Sequence, residues 1–168
     1  MASLCLLAVF PFLMAYAAAS DLLTMTIPNR VSAALVAGFV VVALVSGLGW
    51  AELADHAGAF GATLAVGFGL FCTGKIGGGD AKLAAATALW LGFGSLLDYL
   101  TVASLFGGLL TLAVLGLRRH PLPGFAAAWP FALKLHDTRE GVPYGLALAA
   151  SGLVVCPAAP LWRLALSA

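Results

Sequence analysis

Charge is what this chain has least of. Of its 168 residues only 7 are Asp or Glu and 8 are Lys or Arg, 9% in all. A soluble domain carries about a quarter of its residues as charges, so water is excluded as the solvent for most of this surface. The net charge of +1 leaves no electrostatic footprint for nucleic acid. Cysteine is scarce too: Cys5, Cys72 and Cys156 lie in or beside apolar runs. No two form a Cys-x-x-Cys pair, which argues against a thiolate zinc site, and they read as small packing residues. His56, His120 and His136 are scattered without metal-ligand spacing, so no metal and no cofactor is expected. No Lys or Arg precedes Arg30. The first apolar run ends in Ala17-Ala18-Ala19, which resembles a signal cleavage site, but it lacks the basic start of a secretory signal.

Apolar residues fill the space that charge leaves. The chain is 62% hydrophobic, with a mean hydropathy of +1.07. A helix needs roughly 20 apolar residues to cross a bilayer. Six stretches qualify: about Ser3 to Ala19, Arg30 to Leu48, Ala57 to Cys72, Ala81 to Phe93, Leu96 to Leu117, and Tyr144 to Leu161. The fourth is short and ends at Gly92-Phe93-Gly94. Recurrent Ala and Gly favour close helix–helix approach in lipid. The expected fold class is an all-α polytopic membrane protein of about six transmembrane helices. One domain covers residues 1–168, in contact with membrane lipids.

Charge orients the spans. With the loop of Asp21 and Arg30 in the cytoplasm, Lys75, Lys82, Arg118, Arg119, Lys134 and Arg139 also face inward. Only Arg163 falls outside, and the opposite loop at Glu52, Asp55 and His56 is acidic. This is a strong positive-inside asymmetry. Both termini are then non-cytoplasmic, and Asp21 and Asp80 share the cytoplasmic boundary.

These two acids are the candidate site. Carboxylates at a membrane boundary are costly and point to function, and a pair on one side suits acid–base chemistry. Asp80 follows Gly77-Gly78-Gly79, where glycine permits close backbone approach. Asp is also a favoured helix cap, so a bare cap competes with function at Asp80. Asp21 precedes Ile27-Pro28-Asn29, where Pro28 suits the first turn of a helix and Asn29 suits local backbone bonding. Lys82 and Lys75 flank Asp80. They snorkel to headgroups, or one of them holds an aspartate ionised or orients a substrate. Asp98 reads as a solvated turn residue on the outer side. The long connection from Arg118 to Pro143 reads as a membrane-surface segment.

Together, Asp21 with Ile27-Pro28-Asn29, Gly77-Gly78-Gly79-Asp80-Ala81-Lys82 and Pro143-Tyr144-Gly145 resemble the type IV prepilin peptidases, nearest the short form of tight-adherence (Flp-type) pili. The resemblance implies a Gly-x-Gly-Asp intramembrane aspartyl endopeptidase with Asp21 and Asp80 as its catalytic aspartates. Gly77, Gly78, Gly79, Lys82, Pro28 and Asn29 would form the surrounding substrate loops. It further implies a prepilin as substrate, recognised by its leader and N-terminal hydrophobic helix. Pilus-assembly proteins become potential partners, and the bacterial inner membrane the location. The paired Cys-x-x-Cys region of the long bifunctional members is missing, so N-methyltransferase activity is not carried over. Basic residues common in short relatives are also missing from Leu22 to Thr26. Two rival readings stand beside this one. Intramembrane acids also serve proton-coupled carriers, whose acids sit near the midplane in broken helices. Small-residue faces alone would suit a non-catalytic assembly protein.

Overall fold

The computed structural model describes residues 8–124 and 128–162. Cys5, Arg163 and the start of the first expected span lie outside them. Every regular element among the described residues is helical: α1 (Val9–Thr24), α2 (Asn29–Ser46), α3 (Trp50–Cys72), α4 (Gly78–Arg118), α5 (Pro130–His136) and α6 (Tyr144–Val155), with a 3-10 turn at Cys156–Ala158. By length and composition, α2 and α4 could each cross a membrane, and α1 and Tyr144–Ala158 are shorter apolar helices.

α4 is two helices joined at one residue. Gly92 has φ 69° and ψ 176°, a backbone region that glycine reaches without a Cβ penalty. Ala81 and Ser104 nevertheless line one cavity, although a straight helix would separate them by about 35 Å. The chain therefore doubles back at Gly92. Two groups freed by the break find partners on α3. The Phe93 N–H donates to Asp55 Oδ2 at 3.0 Å, and His56 Nδ1 pairs with the Leu89 carbonyl at 2.7 Å.

Those contacts correct the expected start of the third helix. α3 begins at Trp50, not near Ala57, so Glu52, Asp55 and His56 lie in its first turns and not in a loop. The cause is local: Glu52 Oε2 accepts the Gly49 N–H at 2.8 Å and closes the first turn. Asp98, expected in a turn, is likewise an exposed residue inside α4.

The helices pass between two ends. Asp55, His56, Gly92, Leu48 and Leu161 gather at one. Asp21, Asp80, Gly145, Arg118 and Gly141 gather at the other. Between them the core centres on Trp90, fully buried against Phe10 and Phe39, with its indole N–H on the Leu35 carbonyl at 2.9 Å. Buried Thr87 and Ser151 return their hydroxyls to the carbonyls of Leu83 and Ala147 one turn back, which satisfies them within their own helices, and Thr87 Oγ1 also lies 3.8 Å from Met14 Sδ across the core. The outer faces stay apolar: Leu44 and Leu97 are each 77% exposed and Phe12 71%. Exposed apolar surface on this scale fits contact with lipid rather than water.

Candidate active site

Asp21 lies in the last turn of α1, and its side chain is buried. Its Oδ2 accepts the backbone N–H of Gly145 at 2.7 Å, across 124 residues of sequence. Gly145 is the second residue of α6, whose cap residue is Pro143. A helix start presents unpaired N–H groups and the positive end of the macrodipole, so a carboxylate is stabilised there. The contact requires glycine for steric reasons. A Cβ on Gly145 would sit 2.8 Å from Asp21 Oδ2, 3.0 Å from Asp21 Cβ and 2.6 Å from Ile27 Cδ1.

Asp80 is held differently. The competing reading of Asp80 as a bare helix cap does not hold: Gly77 is the cap residue, and Asp80 is the third residue of α4. From there the carboxylate turns back over the open first turn, where a Cβ on Gly77 would lie 2.9 Å from Asp80 Oδ2. A carboxylate at this position meets orphan N–H groups of the helix start. The other two glycines admit other neighbours: Gly78 lies against the Phe71 ring and Gly79 against Ile27. Each glycine of the triplet thus has its own close contact.

Ile27 joins the two halves. Its side chain is wedged against both Gly79, next to Asp80, and Gly145, the partner of Asp21. Asp21 and Asp80 line one open cleft of about 280 Å³, with Met25 to Ile27 on one side and Gly77 to Gly79 on the other. Met25, which ends α1, has φ 57°, alone among the described non-glycine residues in being positive. That conformation costs roughly 1–2 kcal/mol and is held by the Met25 N–H on the Asp21 carbonyl at 2.8 Å. Beside it Ser20 Oγ donates to the Thr26 carbonyl at 2.9 Å. Hydroxyl and amide groups thus fix the turn that carries the cleft wall.

Pro28, Asn29 and Lys82 frame the cleft rather than line it. Pro28 caps α2, one residue before the first-turn position expected for it, and Asn29 opens the helix. Lys82 Nζ donates to Asn29 Oδ1 at 2.9 Å in an exposed bridge between the starts of α2 and α4. Asn29 is therefore bonded by a lysine 53 residues away, in place of a purely local turn. Lys75 is exposed in the segment before Gly77.

Gly145 and Ile27 stand in the sequence inside the Pro143-Tyr144-Gly145 and Ile27-Pro28-Asn29 motifs, which assign neither a contact. The available signal was the pairing of Pro143 with a glycine two residues on, a stiff turn followed by a residue without a side chain. Chemically, the cleft offers two carboxylates, one of them buried, to whatever enters an open water-accessible space. That is the equipment for passing a proton to and from a substrate without a covalent intermediate.

The family model of type IV leader peptidases matches residues 8–112 of this chain. Nothing among the curated proteins or the solved structures matches it. The matched residues include both aspartates, the glycine triplet and Ile27, and stop short of Gly145.

Proposed function

The chain belongs to the type IV leader peptidase family, and on that premise we propose that Asp21 and Asp80 are an aspartyl dyad that removes the leader of Flp-type prepilins. The observation that carries this reading is the shared cleft: two acids 59 positions apart in sequence line one open space. The acids come from different helices, held by separate glycine contacts that leave the cleft between them open. A bare helix cap at Asp80 would require no second acid.

In the mechanism, the two carboxylates share one proton, because two close negative charges repel. The ionised member takes a proton from a water in the cleft, and the water oxygen attacks the scissile carbonyl carbon. The protonated member donates a hydrogen bond to the carbonyl oxygen and later delivers its proton to the leaving nitrogen. Asp21 and Asp80 titrate as a pair, so neither is assigned the first role. No metal or nucleophilic side chain enters the scheme. A helical substrate hides its peptide bonds in its own hydrogen bonds, so the segment that is cut must unwind before it reaches the dyad.

The cytoplasmic face of a bacterial inner membrane is the proposed setting. It rests on the charge asymmetry of the sequence, with α1, α2, α3, the two halves of α4, and α6 as six passes. Basic residues Arg30, Lys75, Lys82, Arg118 and Lys134 belong to the segments at the dyad end, whereas Glu52 and Asp55 belong to the other. That separation supports the orientation. The test is co-expression with candidate prepilins from the same genome, with leader loss followed by gel shift and mass spectrometry. Wild type should cleave, and Asp21→Asn and Asp80→Asn should not. Near-normal cleavage by either variant would remove its aspartate from the dyad.

A further inference from the structure

We propose that Arg118 is a positioning residue for the dyad, fastening the chain ahead of α6 so that the Gly145 N–H meets Asp21. The inference rests on the peptidase reading for its catalytic consequence, but not for its structural one.

Arg118 ends α4 and is half-buried. Its Nε donates to the Leu135 carbonyl at 2.9 Å. Its Nη2 donates to the carbonyls of Glu140 at 3.1 Å and Gly141 at 2.9 Å. One guanidinium thus joins the last turn of α5 to the loop that follows it. Carbonyls at a helix end lack intrahelical partners, and a planar fork of donors serves several of them at once. A lysine ammonium carries a similar charge without that geometry.

The grip is close to the site. Three residues separate Gly141 from Gly145. Pro143 stiffens that stretch, and the Tyr144 N–H returns to the Val142 carbonyl at 2.8 Å. Tyr144 Oη also pairs with Thr111 Oγ1 on α4 at 2.8 Å. There is little slack through which a displacement at Gly141 could be absorbed before Gly145. The same connection touches α1 at Lys134 Nζ, 3.5 Å from the Thr24 carbonyl. Arg119, by contrast, is exposed. Arg118 also lies beyond residue 112, where the family match stops. Part of the machinery that orients Asp21 is therefore supplied by a segment outside the matched residues.

The experiment uses the full chain in lipid nanodiscs and compares wild type with Arg118→Lys, Arg118→Ala and Arg119→Ala. Hydrogen exchange by mass spectrometry reads the amides of residues 142–148. Steady-state cleavage reads kcat and KM on whichever prepilin the wild type processes. Arg118→Lys and Arg118→Ala should each raise exchange in 142–148 by about tenfold or more. They should lower kcat by a similar factor with KM unchanged, and added guanidinium should restore part of the loss in Arg118→Ala. Arg119→Ala should match wild type in both readings. Wild-type protection of 142–148 in Arg118→Lys would overturn the proposal, since charge alone would then suffice. So would a raised KM at constant kcat. If Arg118→Ala fails to fold, the exchange of Arg118→Lys decides the matter. If wild type cleaves no prepilin, the peptidase reading is what fails, and the exchange measurement still decides whether Arg118 holds Gly145.

Discussion

A single methyl group on Gly145 should disable the site while leaving the fold in place. In Gly145→Ala the new Cβ would meet Asp21 Oδ2 at 2.8 Å, Asp21 Cβ at 3.0 Å and Ile27 Cδ1 at 2.6 Å. Carbon contacts are comfortable at about 3.5–4.0 Å, so something must move by up to about 1 Å. Ile27 Cδ1 is the tip of a flexible side chain and can rotate away. Asp21 Cβ is tied to the helix backbone and cannot, so α6 and α1 must separate or the carboxylate must swing. Either movement stretches the 2.7 Å bond from the Gly145 N–H. Overpacking of this kind costs about 1–3 kcal/mol in stability. Misplacement of a catalytic group by about 1 Å costs on the order of a hundredfold in rate, which is about 2.7 kcal/mol of barrier. The assay is the rate of leader removal from a co-reconstituted prepilin, with thermal melting in the same detergent. Gly61→Ala is the control, because a Cβ there meets nothing within 4 Å. The expected result is a loss of about a hundredfold for Gly145→Ala against less than about twofold for Gly61→Ala. A Gly145→Ala enzyme with more than half the wild-type rate would refute the claim that this contact sets the geometry of Asp21.

Asp21→Asn and Asp80→Asn should each lower cleavage by about a thousandfold or more, because the amide can neither share nor transfer the proton; single-turnover cleavage checks this. Both variants should still insert and melt cooperatively. Lys82→Met should change the rate by less than about threefold, since its bond to Asn29 Oδ1 is exposed and such contacts contribute about 1 kcal/mol or less; a larger loss would place Lys82 in contact with substrate. Gly92→Ala should lower stability by about 2–3 kcal/mol, measured by thermal melting. It adds about 1–3 kcal/mol of strain, because φ 69° with ψ 176° is a region only glycine enters freely, and a Cβ that would lie 2.5 Å from Asp55 Oδ2, and wild-type melting would contradict the doubled-back form of α4.

Composition pointed to the solvent, and the length of the apolar runs to the fold class. So few charges among so many apolar residues point to lipid, and apolar runs near the length of a membrane span point to helices, which satisfy their own backbone. The glycine triplet before Asp80, the proline after Ile27 and the Gly92-Phe93-Gly94 break were legible for the same reason. Each is a local backbone constraint written in adjacent residues. The two aspartates were legible because an acid is conspicuous where acids are rare. Tertiary structure alone decided how those pieces meet. The start of α3 depends on Glu52 closing a turn on Gly49 and on Asp55 and His56 reaching the break in α4. Those reaching contacts span 38 and 33 residues. Asp80 is a third helical residue with Gly77 as the cap, and Phe71 and Ile27 fit against Gly78 and Gly79. Gly145 and Ile27 acquired their contacts only when α1, α4 and α6 converged, and Arg118 only when the connection to α6 folded back onto it. Hydrophobic patterning reports which face of a helix is apolar, averaged over many residues. It carries no term for a hydrogen bond across 124 residues or for the absence of one methyl group between two helices, and such contacts decide where a carboxylate points.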